Sequence, residues 1–197
     1  MYASVGLDPT QFKDCKLAAD WIRCNKERII SIGETGLDHY RIRDHREREI
    51  QEACFKSLIS LAQELELPIQ IHSRSAGRKA LEVLDSSNAE RVHLHAFDGK
   101  ASLARTASRD LGYYFSIPTS VARSPQKRKL VKAVAIERLL VETDSPVLGP
   151  EREMRNEPSN IWVALRETAD ILKREEDELR EIVLENTLRL YSGIKPQ

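Results

Sequence analysis

Four side chains of the types that bind metal ions or move protons stand where short apolar runs give out. Ile29-Ile30-Ser31-Ile32-Gly33 gives way to Glu34, and Pro68-Ile69-Gln70-Ile71 to His72. Val92-His93-Leu94 ends in His95, and Leu139-Leu140-Val141-Glu142-Thr143 ends in Asp144. Two imidazoles and two carboxylates suit Zn²⁺, Mn²⁺ or Mg²⁺. Each alone reads more simply as a polar residue at a strand end. Asp144 before Ser145-Pro146, or Glu34 before Thr35-Gly36, could merely begin a turn. Four at equivalent positions point to one shared site.

The elements that must position them alternate. Apolar, β-branched runs recur at residues 2–7, 29–34, 68–72, 91–95, 112–117 and 139–144, with helical periodicity between. Over 46–66, Ile50, Cys54, Leu58, Leu61 and Leu65 form an apolar stripe, and Pro68 stops that helix before the next strand. Helices follow at 161–174 and 177–191, the second opening on the acidic cluster Glu175-Glu176-Asp177 that suits a helix N-terminus. Such alternation predicts an α/β fold with parallel strands, whose C-terminal strand ends build the site. Residues 146–158, with Gly149 and Pro150, read as a loop over that site. With no internal repeat, low-complexity tract or Gly/Ser linker, residues 1–197 read as a single domain.

Composition narrows the function classes. Of 197 residues, 31 are Lys or Arg and 31 are Asp or Glu, a net charge of zero that excludes binding nucleic acid as a polycation. A site that holds phosphates through metal ions is still open. Cys15, Cys24 and Cys54 are odd in number and lack a C-x-x-C pair, so neither a disulfide scaffold nor a cysteine zinc site is expected, and a reducing compartment fits. The sequence holds no membrane span or signal-peptide pattern, and its mean hydropathy is −0.47. The expectation is an intracellular protein, cytoplasmic or nuclear.

At this point the motifs become recognisable. Gly33-Glu34-Thr35-Gly36-Leu37-Asp38, Ile71-His72-Ser73-Arg74, His95-Ala96-Phe97-Asp98-Gly99 and Glu142-Thr143-Asp144-Ser145-Pro146 resemble, in order, the signatures of the TatD family of metal-dependent deoxyribonucleases. Asn156-Glu157-Pro158 and Glu185-Asn186-Thr187 also resemble family positions, and Ser73 to Arg78 is most similar to the branch called TatD domain-containing protein three. The resemblance implies a TIM-type (β/α)₈ barrel of the metal-dependent hydrolase superfamily. It further implies two divalent ions (Mg, Mn or Zn) that hydrolyse phosphodiester bonds of DNA, trimming from the 3′ end. By family position Glu34 bridges the metals, His72 and His95 complete one of them, and Asp144 binds the other and helps deprotonate the attacking water. Arg74 is a candidate phosphate contact, or equally the partner of a salt bridge at a helix start.

The chain also departs from the pattern. The family's opening His-x-His pair has no counterpart, and Tyr2 to Pro9 resembles the family's third strand, with Asp8 where the family favours His. Six strands are therefore expected in place of eight, in a chain shorter than the usual barrel of about 250 residues. One metal keeps Glu34, His72 and His95, whereas the other keeps only Glu34 and Asp144. Unpaired barrel edges would favour self-association. The alternative to a deoxyribonuclease is a remnant or isoform that binds metal or a partner without turnover; a C–N hydrolase reading is weaker. His93 reads as a core histidine, His39 as a loop residue and His45 as a solvated helix start. Tyr113-Tyr114-Phe115 read as core, and Arg123, Lys127, Arg128, Lys129 and Lys132 as either a DNA-facing cluster or a solvated helix face.

Overall fold

The computed structural model describes residues 2–195, which fall into two compact units, residues 2–99 with 190–195, and Lys100–Arg189. In the first unit, β1 (Ser4–Val5), β2 (Ser31–Gly36), β3 (Ile69–His72) and β4 (Val92–Leu94) pair in parallel in chain order. Helices α1 (Cys15–Cys24), α2 (His45–Glu64) and α3 (Gly77–Ser86) make the crossovers that parallel pairing requires. Ile32, Ile69, Ile71, Val92 and Leu94 of the strands are fully buried, as are Phe55, Leu58, Ile59 and Leu61 of α2. Asp44 caps α2, its side chain accepting from the Glu47 amide at 3.0 Å. The buried face of α2 centres on Cys54, Phe55, Leu58, Ile59, Leu61 and Ala62, while Ile50 is half exposed. A stripe read by steps of three and four drifts on a helix of 3.6 residues per turn, so its first member leaves the covered face.

Two glycines let β2 press against β3. A Cβ on Gly33 would lie 2.5 Å from the Gln70 Cβ, and one on Gly36 would lie 2.2 Å from the His72 carbonyl oxygen, at a φ of +136° that side chains rarely adopt. Between them the pairing slips: Ile32 faces Ile69, but Thr35 faces Ile71, three steps against two. That bulge re-aims Glu34, which is the one exposed residue of an otherwise buried strand.

The second unit holds α4 (Ala101–Asp110), β5 (Tyr114–Pro118), α5 (Pro125–Val131), β6 (Leu139–Glu142), α6 (Ile161–Leu172) and most of α7 (Glu176–Leu190). Strands β5 and β6 are parallel, from Phe115 against Leu139 to Pro118 against Glu142. Tyr113, Tyr114 and Phe115 are buried, in agreement with a core reading. Asn186 of α7 donates to the carbonyls of Ile136 and Leu139 at 2.8 and 2.9 Å, tying the last helix to the start of β6. All six expected strands are present, most with bounds a residue or two inside the apolar runs, and β2 and β5 running past them.

One expectation is overturned. Cys15 and Cys54 form a disulfide, with Cα atoms 5.7 Å apart, because the N-terminus of α1 packs on the middle of α2. Parity misled: the odd residue out is Cys24, which is exposed and free. Among the described residues no helix is long and apolar enough to cross a membrane.

Candidate metal centre

Three of the expected residues meet in the first unit. The bulge turns the Glu34 carboxylate between two imidazoles, with Oε2 3.6 Å from His72 Nδ1 and Oε1 3.7 Å from His95 Nε2. His72 is the last residue of β3, and His95 follows β4 directly, its amide donating to the Ile71 carbonyl at 3.1 Å. The ladder thus sets both rings at neighbouring strand ends. One carboxylate facing two ring nitrogens at such distances suits a divalent ion with ligand bonds of about 2.0–2.2 Å. Nδ1 of His72 and Nε2 of His95 are the donor atoms that face the carboxylate.

The other His72 nitrogen is occupied by a residue that strand-end reasoning passed over. Asp38 is 2% exposed, and its Oδ2 lies 3.1 Å from His72 Nε2. Its Oδ1 accepts from the amides of Tyr40 and Arg41 at 3.0 and 2.8 Å, and its own amide donates to buried Gln51. Gln51 in turn donates to the Pro9 carbonyl at 2.8 Å. This chain of bonds holds Asp38, and Asp38 holds the ring: a carboxylate behind a metal-binding imidazole fixes its tautomer and orientation. Burial works against the charged form of His72, yet the carboxylates of Glu34 and Asp38 outweigh it and hold its pKa above the ordinary histidine value. The sequence signal was available in the second carboxylate four residues past Glu34, but an aspartate beginning a turn looks the same.

The histidines set aside in the sequence behave as expected. His93 is buried, its Nδ1 2.5 Å from the Tyr191 hydroxyl, and His45 begins α2 in solvent. His39 is a loop residue whose amide donates to the Arg74 carbonyl, and burial followed by the nearby Arg48 lowers its pKa. Arg74 lies over the Tyr40 ring, its Cζ 4.0 Å from the centroid. Its backbone continues from His72 and Ser73 into the turn ahead of α3.

Asp144 is carried by the second unit, two residues past β6 and in a left-handed conformation with φ +59°. The loop it opens is pinned by Asn156, which is buried. The Asn156 side chain donates to the carbonyls of Thr143 and Val147 at 2.6 and 2.8 Å and accepts from Glu157 and Asn160. The basic cluster divides: Arg128 pairs with Glu167 at 2.8 Å, Arg123 donates to the Gly149 carbonyl, and Lys127 is buried.

Comparison with known proteins adds a family. A family model described as TatD related DNase matches residues 1–192. Deoxyribonuclease TATDN3 of Homo sapiens is 41% identical over 93% of this chain and 67% of its own length. The TATDN3 relative of Mus musculus is 43% identical, and the chain spans only 63% of that protein. A protein of Methanocaldococcus jannaschii named as an uncharacterized metal-dependent hydrolase is 33% identical over 97% of this chain and 76% of its own. Among solved structures, the TatD homologue YJJV of Escherichia coli K12 superposes with a TM-score of 0.86 at 23% identity, covering 97% of this chain and 76% of that one. That last likeness shows the fold, the TIM-type α/β architecture that the family resemblance implied.

Proposed function

This chain belongs to the family of TatD-related DNases, and on that premise we propose that it is a metal-dependent hydrolase cleaving phosphodiester bonds of DNA, as a 3′–5′ exonuclease. The observation that supports it most is the Glu34 carboxylate standing between His72 and His95 at 3.6 and 3.7 Å. Those three residues are proposed to hold a divalent ion, which when bound supplies neutralisation of the phosphodiester and activation of a water. Asp38 keeps the His72 ring turned toward Glu34. Arg74 is proposed to bind a non-bridging phosphate oxygen through the N–H edge of its guanidinium, a bidentate donor geometry that lysine lacks. Asp144 is assigned the proton-accepting role on its strand-end position and its Glu-Thr-Asp-Ser-Pro signature: a carboxylate Oδ takes the proton of the attacking water, and the 3′-oxygen of the preceding nucleotide departs. A neutral protein can serve such a polyanionic substrate because the positive charge at the reacting phosphate comes with the ion.

Cleavage of end-labelled single-stranded DNA by the purified chain with Mn²⁺ or Mg²⁺ tests this. Glu34→Gln and Asp144→Asn are each expected to lower turnover by about 100-fold or more, the usual worth of a metal ligand or general base. Unchanged turnover in either variant removes that residue from the mechanism. No cleavage by the folded chain overturns the nuclease reading in favour of a protein that binds metal or a partner without turnover.

A further inference from the structure

We propose that Tyr40 and Arg74 form a stacking platform that takes one nucleobase of the DNA strand beside the candidate metal centre. The proposal rests on DNA being the substrate in the reading above and adds a base-binding subsite to it. Tyr40 is 53% exposed. An exposed tyrosine alone means little, since single apolar side chains are common on surfaces. This one is built in from several sides. Its amide and that of Arg41 are held by Asp38 Oδ1. The neighbouring His39 amide donates to the Arg74 carbonyl at 3.0 Å. Arg48 closes the same loop by donating to the carbonyls of Ile42 and His39 at 2.8 and 3.0 Å. Above it lies the Arg74 guanidinium, 4.0 Å from the ring centroid and itself exposed.

The pair is thus preorganised, and an aromatic held in place loses little conformational entropy when a ligand stacks on it. Both members are fixed relative to His72. Asp38, which locks the Tyr40 turn, bonds the His72 ring, and Arg74 follows His72 by two residues. A ring face and a guanidinium plane together accept any base, because every nucleobase offers a π-face and arginine adds a cation–π contribution. The guanidinium edge stays suited to the phosphate of the same nucleotide. Tyr113, Tyr114 and Phe115, the densest aromatic run in the sequence, are buried and cannot serve.

Binding to an oligomer that resists hydrolysis separates this subsite from catalysis. The dissociation constant of a short labelled single-stranded phosphorothioate oligodeoxynucleotide is measured by fluorescence anisotropy with Mn²⁺ present, beside a phosphorothioate oligomer carrying tetrahydrofuran in place of every base. The wild-type chain is expected to prefer the base-bearing oligomer by about fivefold to a hundredfold, the range of one base–aromatic stack. Tyr40→Ala should abolish that preference, and Tyr40→Phe should retain it. Equal affinity of the wild-type chain for the two oligomers overturns the proposal, with no variant needed. So does a Tyr40→Ala loss of the same size on both. Failure of the nuclease reading shows separately, as absent cleavage of the ordinary phosphodiester oligomer with Mn²⁺.

Discussion

An asparagine at position 38 would keep the acceptor for the Tyr40 and Arg41 amides, yet present an N–H₂ where His72 Nε2 now meets a carboxylate oxygen. The imidazole must then accept at Nε2 and carry its proton on Nδ1, the atom that faces Glu34 3.6 Å away. The wrong tautomer blocks the metal donor without disturbing the backbone. Asp38→Asn is therefore expected to weaken binding of Zn²⁺ or Mn²⁺ by about 10- to 100-fold in a calorimetric titration, with little change in thermal stability. An unchanged metal affinity would remove Asp38 from the positioning role. The residues around it differ in how legible they were. Glu34, His72 and His95 show in the sequence because each closes an apolar run. Asp38 and Tyr40 act through a turn whose bonds return to His72 and Arg74, and no periodicity marks such returns.

Strands and helices carry the second scale, and here local rules reached far: all six strands, and the helices α2, α6 and α7, follow from apolar runs, caps and Pro68. What they missed is the slip in β2, because a bulge depends on the partner strand. Gly36 shows how tightly that slip is held. Adding a methyl there puts Cβ 2.2 Å from the His72 carbonyl at a φ of +136°. Gly36→Ala is expected to cost about 2 to 4 kcal/mol in urea denaturation. A second element reports through pH. Asp8 accepts from the Thr10 amide and hydroxyl at 2.7 and 2.6 Å, capping the 3-10 turn Pro9–Asp14. Burial works against the charged carboxylate, but those bonds, with Arg41 and His72, hold its pKa below the ordinary aspartate value. A lowered folded-state pKa means stability present above the unfolded value and lost as pH falls through the folded one. Asp8→Ala should thus cost about 1 kcal/mol near neutral pH, and the difference should shrink as pH falls below the ordinary aspartate range. A difference that persists there would assign the loss to packing instead.

For the molecule as a whole, alternating apolar runs and helices pointed toward an α/β protein with parallel strands, balanced charge left open a site that holds phosphates through ions, and the order of signatures pointed to the family. Pairing of cysteines was out of reach because it is a distance between elements far apart in sequence. Cys15 and Cys54 are 39 residues apart, yet their Cα atoms come within 5.7 Å once α1 lies on α2. Closing a loop of that length restricts the unfolded chain by about 3 to 4 kcal/mol on the chain-entropy account. The cross-link encloses Ile22, Ile32 and Leu37 of the core together with Glu34 and Asp38, so its loss should loosen the candidate centre's own unit. The chain purified without reductant and denatured should therefore show one reactive thiol, Cys24, and three after reduction. Its urea midpoint should fall on reduction, and Cys54→Ser should reproduce that fall while becoming insensitive to reductant. Three reactive thiols before reduction would remove the disulfide and with it the expected loss. A single thiol with an unmoved midpoint would leave the bond in place but deny it a stabilising role, because packing of α1 on α2 would then suffice alone.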